Sequence, residues 1–159
     1  MTWHSFPDTN SAPPEVLFRL QASNGQPVAL EHYRQRQGLC LLFLSAADQG
    51  LWLEVLQALA AAREPLSERE TAPLAVLPTT QTAAAELAGR LQRPLLLLAD
   101  PDRWMRDRYL KLAPGIQPDE TFVFLLDRWG APLAVGSLDE DWIDEALAWF
   151  DLAQARCPE

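Results

Sequence analysis

The chain has 159 residues, enough for one domain with a substantial core, and its 48% hydrophobic and 22% charged residues are ordinary for a soluble globular protein. With 13 Lys+Arg against 22 Asp+Glu, the formal net charge of -9 argues against nucleic acid and against an anionic membrane surface, both of which need a basic face. Two distant cysteines, Cys40 and Cys157, and two histidines exclude a disulfide framework and predict no metal site and no cofactor.

Residues 1–13 are polar and Pro-bearing and predict a loose arm, although Trp3 and Phe6 within it could fold back onto the body or anchor a partner. The arm has neither the basic nor the apolar region of a secretory signal, and no apolar run approaches the roughly 18 residues a spanning helix needs, so a cytoplasmic protein is expected. Val16 to Leu20 reads as a strand, Asn24-Gly25 as a two-residue turn, and Pro27 to Leu30 as the returning strand, making an N-terminal hairpin. A helical turn over 31–35 is expected to end at Gly38. Leu39 to Leu44 is a continuous apolar run of strand length, and the period turns helical from Asp48. A buried strand feeding a helix through a tight turn is the first half of a βαβ unit, whose chemistry belongs at the carboxyl end of the strand. Leu51, Trp52, Val55, Leu56, Leu59 and Ala60 form the apolar stripe of that helix, which Pro65 should stop, with a charged loop over 64–72.

Leu74 to Leu77 predicts a second buried strand, and Thr80 or Thr82 caps the helix after it. Leu95 to Leu98 is a further strand. Asp100-Pro101-Asp102 reads as a turn and cap for a helix over 103–112. Thr121 to Leu126 and Pro132 to Val135 flank a hairpin loop, with Pro132 suited to an edge. Asp139 and Glu140 open a final helix with a core stripe of Ile143, Leu147 and Phe150 and a second stripe of Trp142, Ala146 and Trp149. The order predicts an α/β domain over 14–155: a central mixed sheet flanked by helices, with the N-terminal hairpin and a tail at 156–159.

Several segments, in order, resemble the peroxiredoxins of the alkyl hydroperoxide reductase and thiol-specific antioxidant group. EVLFRLQASNGQPVALEHYR resembles the opening hairpin, GLCLLFLSA the central strand before the catalytic loop, RPLLLLADPD the next strand and turn, and TFVFLLDRWGAPL the late hairpin. The resemblance runs from about residue 14 to 153 and implies the thioredoxin-like fold, and a homodimer. It departs from the family at the chemistry. The family's loop carries Pro, Thr and the peroxide-attacking Cys, with an Arg that lowers the thiol pKa. Aligned here, Ser45 stands for the Pro, Gln49 for the Thr, Trp52 for the Cys, and Asp119 or Glu120 for the Arg, a reversed charge. No cysteine occurs from Ser45 to Glu70, and no CxxC occurs anywhere.

Cys40, inside an apolar strand, reads as an inert core residue, and Cys157 in the tail is the remaining thiol candidate. Asp48 is expected to cap the helix, and Asp100 and Asp102 to serve a turn rather than a metal. His32 reads as a surface residue packing on the hairpin. Trp and Arg are enriched at interaction hot spots, which singles out Trp104 with Arg103, Arg106 and Arg108, and Trp129 in the hairpin loop. The expected function is therefore a non-catalytic domain that binds a protein as an accessory or assembly subunit. The alternatives are a divergent thiol oxidoreductase using Cys157 or a partner's cysteine, and a small-ligand binder at the vacated pocket.

Overall fold

The computed structural model describes residues 3–6 and 17–156. Among them the chain runs β1 (Trp3–Ser5), β2 (Arg19–Ala22), β3 (Pro27–Ala29), β4 (Gly38–Phe43), α1 (Trp52–Ala61), α2 (Arg63–Ser67), β5 (Thr71–Leu77), α3 (Gln81–Ala88), β6 (Leu96–Ala99), α4 (Trp104–Leu110), β7 (Phe122–Leu126), β8 (Pro132–Ser137) and α5 (Trp142–Arg156). The strands form one sheet in the order β1-β8-β7-β4-β5-β6-β2-β3. Strands β4, β5 and β6 run parallel, and the remaining pairings are antiparallel. This is the mixed, helix-flanked sheet of the thioredoxin-like architecture, in its peroxiredoxin form with an N-terminal hairpin.

Strand β4 explains its own sequence. Its side chains alternate between two cores, so it is apolar throughout rather than at every second position. Cys40, Leu42 and Leu44 meet Trp52, Leu56 and Leu59 of α1 and Trp142, Ala146 and Phe150 of α5. Leu39, Leu41 and Phe43 meet Met105 and Tyr109 of α4 together with Phe122 and Phe124. Phe43 stacks on Phe122 at 4.7 Å, and Tyr109 meets Phe124 edge-on at 4.9 Å. Each such buried side chain contributes about 1.5–3 kcal/mol of apolar transfer.

Several expectations shift by a few residues. Gly38 opens β4 rather than closing the preceding turn, and a Cβ there would lie 2.9 Å from the Leu126 carbonyl oxygen, which accounts for the glycine. Pro65 does not end the helical region. It falls in the first turn of α2, where no N–H is required, so 63–67 is helix and β5 begins at Thr71. Asp100 caps α4 from a distance: its carboxylate accepts from the backbone N–H of Met105 and Arg106, and the helix starts at Trp104. Pro132 is not at a sheet edge, because β1 pairs with β8. On α5 the fully buried line is Trp142, Ala146 and Phe150, with Ile143 and Leu147 packed beside it. The Asn24-Gly25 turn, with Gly25 at φ +84°, and the Thr80 cap on Ala83 form as expected.

Residues 3–6, expected in the loose arm, are built into the body. Trp3 Nε1 donates to Glu145 of α5 at 3.2 Å, the Trp3 ring lies 6.4 Å from that of Trp149, and Phe6 packs on Phe124 at 5.4 Å. The apolar area of these two aromatics outweighs the polar residues around them. Residues 7–16 and the tail from 157 lie outside the described residues.

Candidate functional site

The carboxyl end of β4 leads into a 3₁₀ segment, Ala46–Leu51, and then into α1. Ser45 caps that segment: its Oγ accepts from the Ala47 N–H at 3.1 Å and donates to the Asp119 carbonyl. The Ser45 N–H donates to Thr121 Oγ1 at 3.0 Å, and the Thr121 hydroxyl donates to the Asp48 carboxylate at 2.7 Å. The Trp52 indole N–H donates to the Ser45 carbonyl at 2.8 Å. Trp52 and Ser45 are both buried, whereas Gln49 is exposed on the 3₁₀ segment. Ser45 and Trp52 thus come together, and Gln49 stands apart. Asp48 is not the cap. It sits at a kink inside the segment and serves Thr121 instead. Thr121, the centre of this network, went unrecognised in the sequence. Its one signal was a hydroxyl placed at the start of an otherwise apolar strand.

Arg106 contradicts its expected place on a binding surface. It is 3% exposed, and its guanidinium reaches inward to the carbonyls of Leu44 (3.4 Å), Pro118 (2.9 Å) and Glu120. It also lies over the Phe122 ring at 5.2 Å. Burial lowers its pKa from the ordinary guanidinium value and Arg103 acts in the same direction, while Asp107, Asp119 and Asp48 oppose them. Arg106 thus meets the backbone carbonyl of Glu120, and the nearby carboxylates it interacts with electrostatically are Asp107, Asp119 and Asp48. Glu120 itself accepts from the Gln117 N–H at 2.9 Å.

Beside this network lies a cleft of about 220 Å³ whose wall includes Leu44, Trp52, Val55, Asp48, Glu120 and Thr121. It is smaller than the several hundred Å³ common for ligand pockets, which span about 300–1,000 Å³.

Cys40 is buried, and burial pushes its thiol up to about 12. Such a thiol is inert as a nucleophile. A disulfide reagent at pH 8 should leave Cys40 unlabelled in folded Cys157→Ser protein and label it on unfolding; rapid labelling of the folded variant would contradict the burial. The raised value also sets a sign. Folding stability from this group is full below the ordinary thiol pKa of 9.0 and is lost as pH rises through about 12.

Trp104 and Trp129 are exposed as expected, at 39% and 48%. Arg108 covers the Trp104 ring at 3.9 Å and Arg128 the Trp129 ring at 4.8 Å. The two do not meet. Trp104 follows the carboxyl end of β6 and borders a groove with Leu17, Phe18 and Leu20. Trp129 sits at the opposite end of the sheet, where the Asp127 carboxylate holds the hairpin tip by accepting from Trp129 and Ala131 N–H. Burial raises the Asp127 pKa against those two hydrogen bonds. His32 is exposed, and its Nδ1 accepts from the Ala29 N–H on the hairpin. Among the described residues no group of three His, Cys, Asp or Glu could hold a metal, and no helix is long and apolar enough to cross a membrane.

No protein-family model matches this sequence, and no curated protein matches it. Solved structures do. The chain is similar to the peroxidoxin BcpB of Mycobacterium tuberculosis, at a TM-score of 0.75 and 17% identity over 89% of this chain and 96% of that one. It is similar to the reduced 2-Cys peroxiredoxin of Plasmodium vivax, at 0.76 and 16% over 89% and 94%. It is similar to the bacterioferritin comigratory protein of Xanthomonas campestris, at 0.73 and 16% over 86% and 91%. At these identities the likeness establishes the peroxiredoxin-type fold.

Proposed function

We propose that this chain is a peroxiredoxin-like domain without the peroxidatic cysteine, which works by binding a protein as an accessory or assembly subunit. One observation carries the first half. Trp52 stands where the resemblance places the attacking thiol, and its indole is buried and tied to the Ser45 carbonyl at 2.8 Å. No cysteine from Ser45 to Glu70 could take its place. The second half is supported by Trp104 and Trp129, two exposed indoles each stacked by an arginine, the side-chain chemistry of interaction hot spots. A second copy of the chain is the first partner to test.

The protein should consume neither hydrogen peroxide nor cumene hydroperoxide above the rate of dithiothreitol alone. Sedimentation and an affinity capture from native extract, both with reductant present, should reveal a stoichiometric complex that Trp104→Ala or Trp129→Ala weakens. Peroxide turnover lost on Cys157→Ser would overturn the non-catalytic reading in favour of thiol chemistry. A complex indifferent to both tryptophans would overturn the partner-binding role given to these two side chains.

A further inference from the structure

The cleft at the carboxyl end of β4 has a charge signature of its own. Its apolar wall is Leu44, Leu51, Trp52, Val55 and Leu138, and its polar groups are Asp48, Glu120 and Thr121. No Lys, Arg or His lines it among the described residues. Arg106 acts on Asp48 electrostatically, but its guanidinium hydrogen-bonds the carbonyls of Leu44, Pro118 and Glu120 and forms no part of the wall. Asp48 and Glu120 each accept one hydrogen bond, from Thr121 and from the Gln117 N–H. A carboxylate offers about four lone-pair sites, so acceptor capacity remains. Donors are scarce: the Thr121 hydroxyl is already given to Asp48.

The wall therefore asks for a ligand that brings donors, positive charge and a compact apolar body. We propose that this cleft binds a small primary ammonium compound, its ammonium directed to Asp48 and Glu120 and its apolar body against Leu51, Trp52 and Val55. The volume of about 220 Å³ sets the size. At about 30 Å³ per water it equals roughly seven waters, room for an amine of about eight non-hydrogen atoms. Anions, including carboxylates and phosphates, meet two carboxylates there and are excluded. The site stands independently of the protein partner proposed above.

The probes are benzylamine, benzyl alcohol and benzoate, which share a ring and differ in charge, titrated into the full chain at pH 7 by saturation-transfer NMR. Benzylamine should bind at least about tenfold tighter than benzyl alcohol, the scale of two nearby carboxylates in a half-solvated cleft, and benzoate should not bind. Asp48→Asn and Glu120→Gln, both isosteric, should each weaken benzylamine severalfold and leave benzyl alcohol unchanged, and the double variant should erase the preference. On the unaltered protein, raising salt to about 0.5 M should weaken the amine and spare the alcohol, which keeps the test intact if a variant fails to fold. Equal affinity for the three probes, salt-insensitive amine binding, an unchanged double variant, or no binding up to about 10 mM, a concentration beyond any useful affinity, would each overturn the assignment.

Discussion

Arg106→Ala is expected to lower folding stability by about 3–5 kcal/mol, measured by equilibrium urea unfolding. The wild-type guanidinium hydrogen-bonds the carbonyls of Leu44, Pro118 and Glu120 from a buried position. Removing it leaves these acceptors without their donor, and each such group costs about 1–3 kcal/mol when water cannot reach it. The stacking on Phe122 is lost as well. Arg106→Lys should recover only a minor part, because an ammonium lacks the planar fork that serves carbonyls on two sides. The three carbonyls fix the end of β4 and the approach to β7, so the loss should reach the Ser45–Thr121 network. Slower amide exchange at Ser45 than at Gln49 in the wild type, and loss of that difference in Arg106→Ala, would report it. A cost below about 1 kcal/mol would mean that water replaces the guanidinium, and would refute the structural role given to Arg106.

Trp52→Ala should cost a similar amount, about 3–5 kcal/mol, for a different reason. A buried indole against Val55 and Leu56 is replaced by a methyl group, leaving a cavity that the rigid β4–α1 corner cannot close. Trp52→Phe separates the contributions. It keeps most of the apolar contact but removes one of two donors to the Ser45 carbonyl, which retains the Asp48 N–H at 3.0 Å, and should cost about 0.5–1 kcal/mol beyond the packing change. If Trp52→Ala were neutral, the indole would not be packed where the resemblance places the thiol, and the non-catalytic reading would lose its main support.

The sequence alone determined the fold class. Leu39 to Leu44 reads as a strand covered on both faces, Asn24-Gly25 reads as a turn, and the absence of cysteine from Ser45 to Glu70 needed no coordinates. These features act within windows of a few residues, where period, propensity and steric limits can be read directly. It did not determine which polar groups meet. Thr121 lies 76 residues from Ser45 and 73 from Asp48, and Arg106 lies 62 from Leu44. Composition made Arg106 resemble a surface arginine beside Trp104. Only the packing of α4 against β4 and β7 turned it inward, because buried carbonyls at the strand ends need a donor and the helix brings one within reach. The docking of Trp3 and Phe6 onto the body, one of the two readings open to them, was decided for the same reason. Trp149 and Phe124 reach Trp3 and Phe6 only once the sheet is assembled. Local structure follows from neighbours along the chain, whereas satisfying buried polar groups and covering aromatic surface depend on residues that only the tertiary fold brings together.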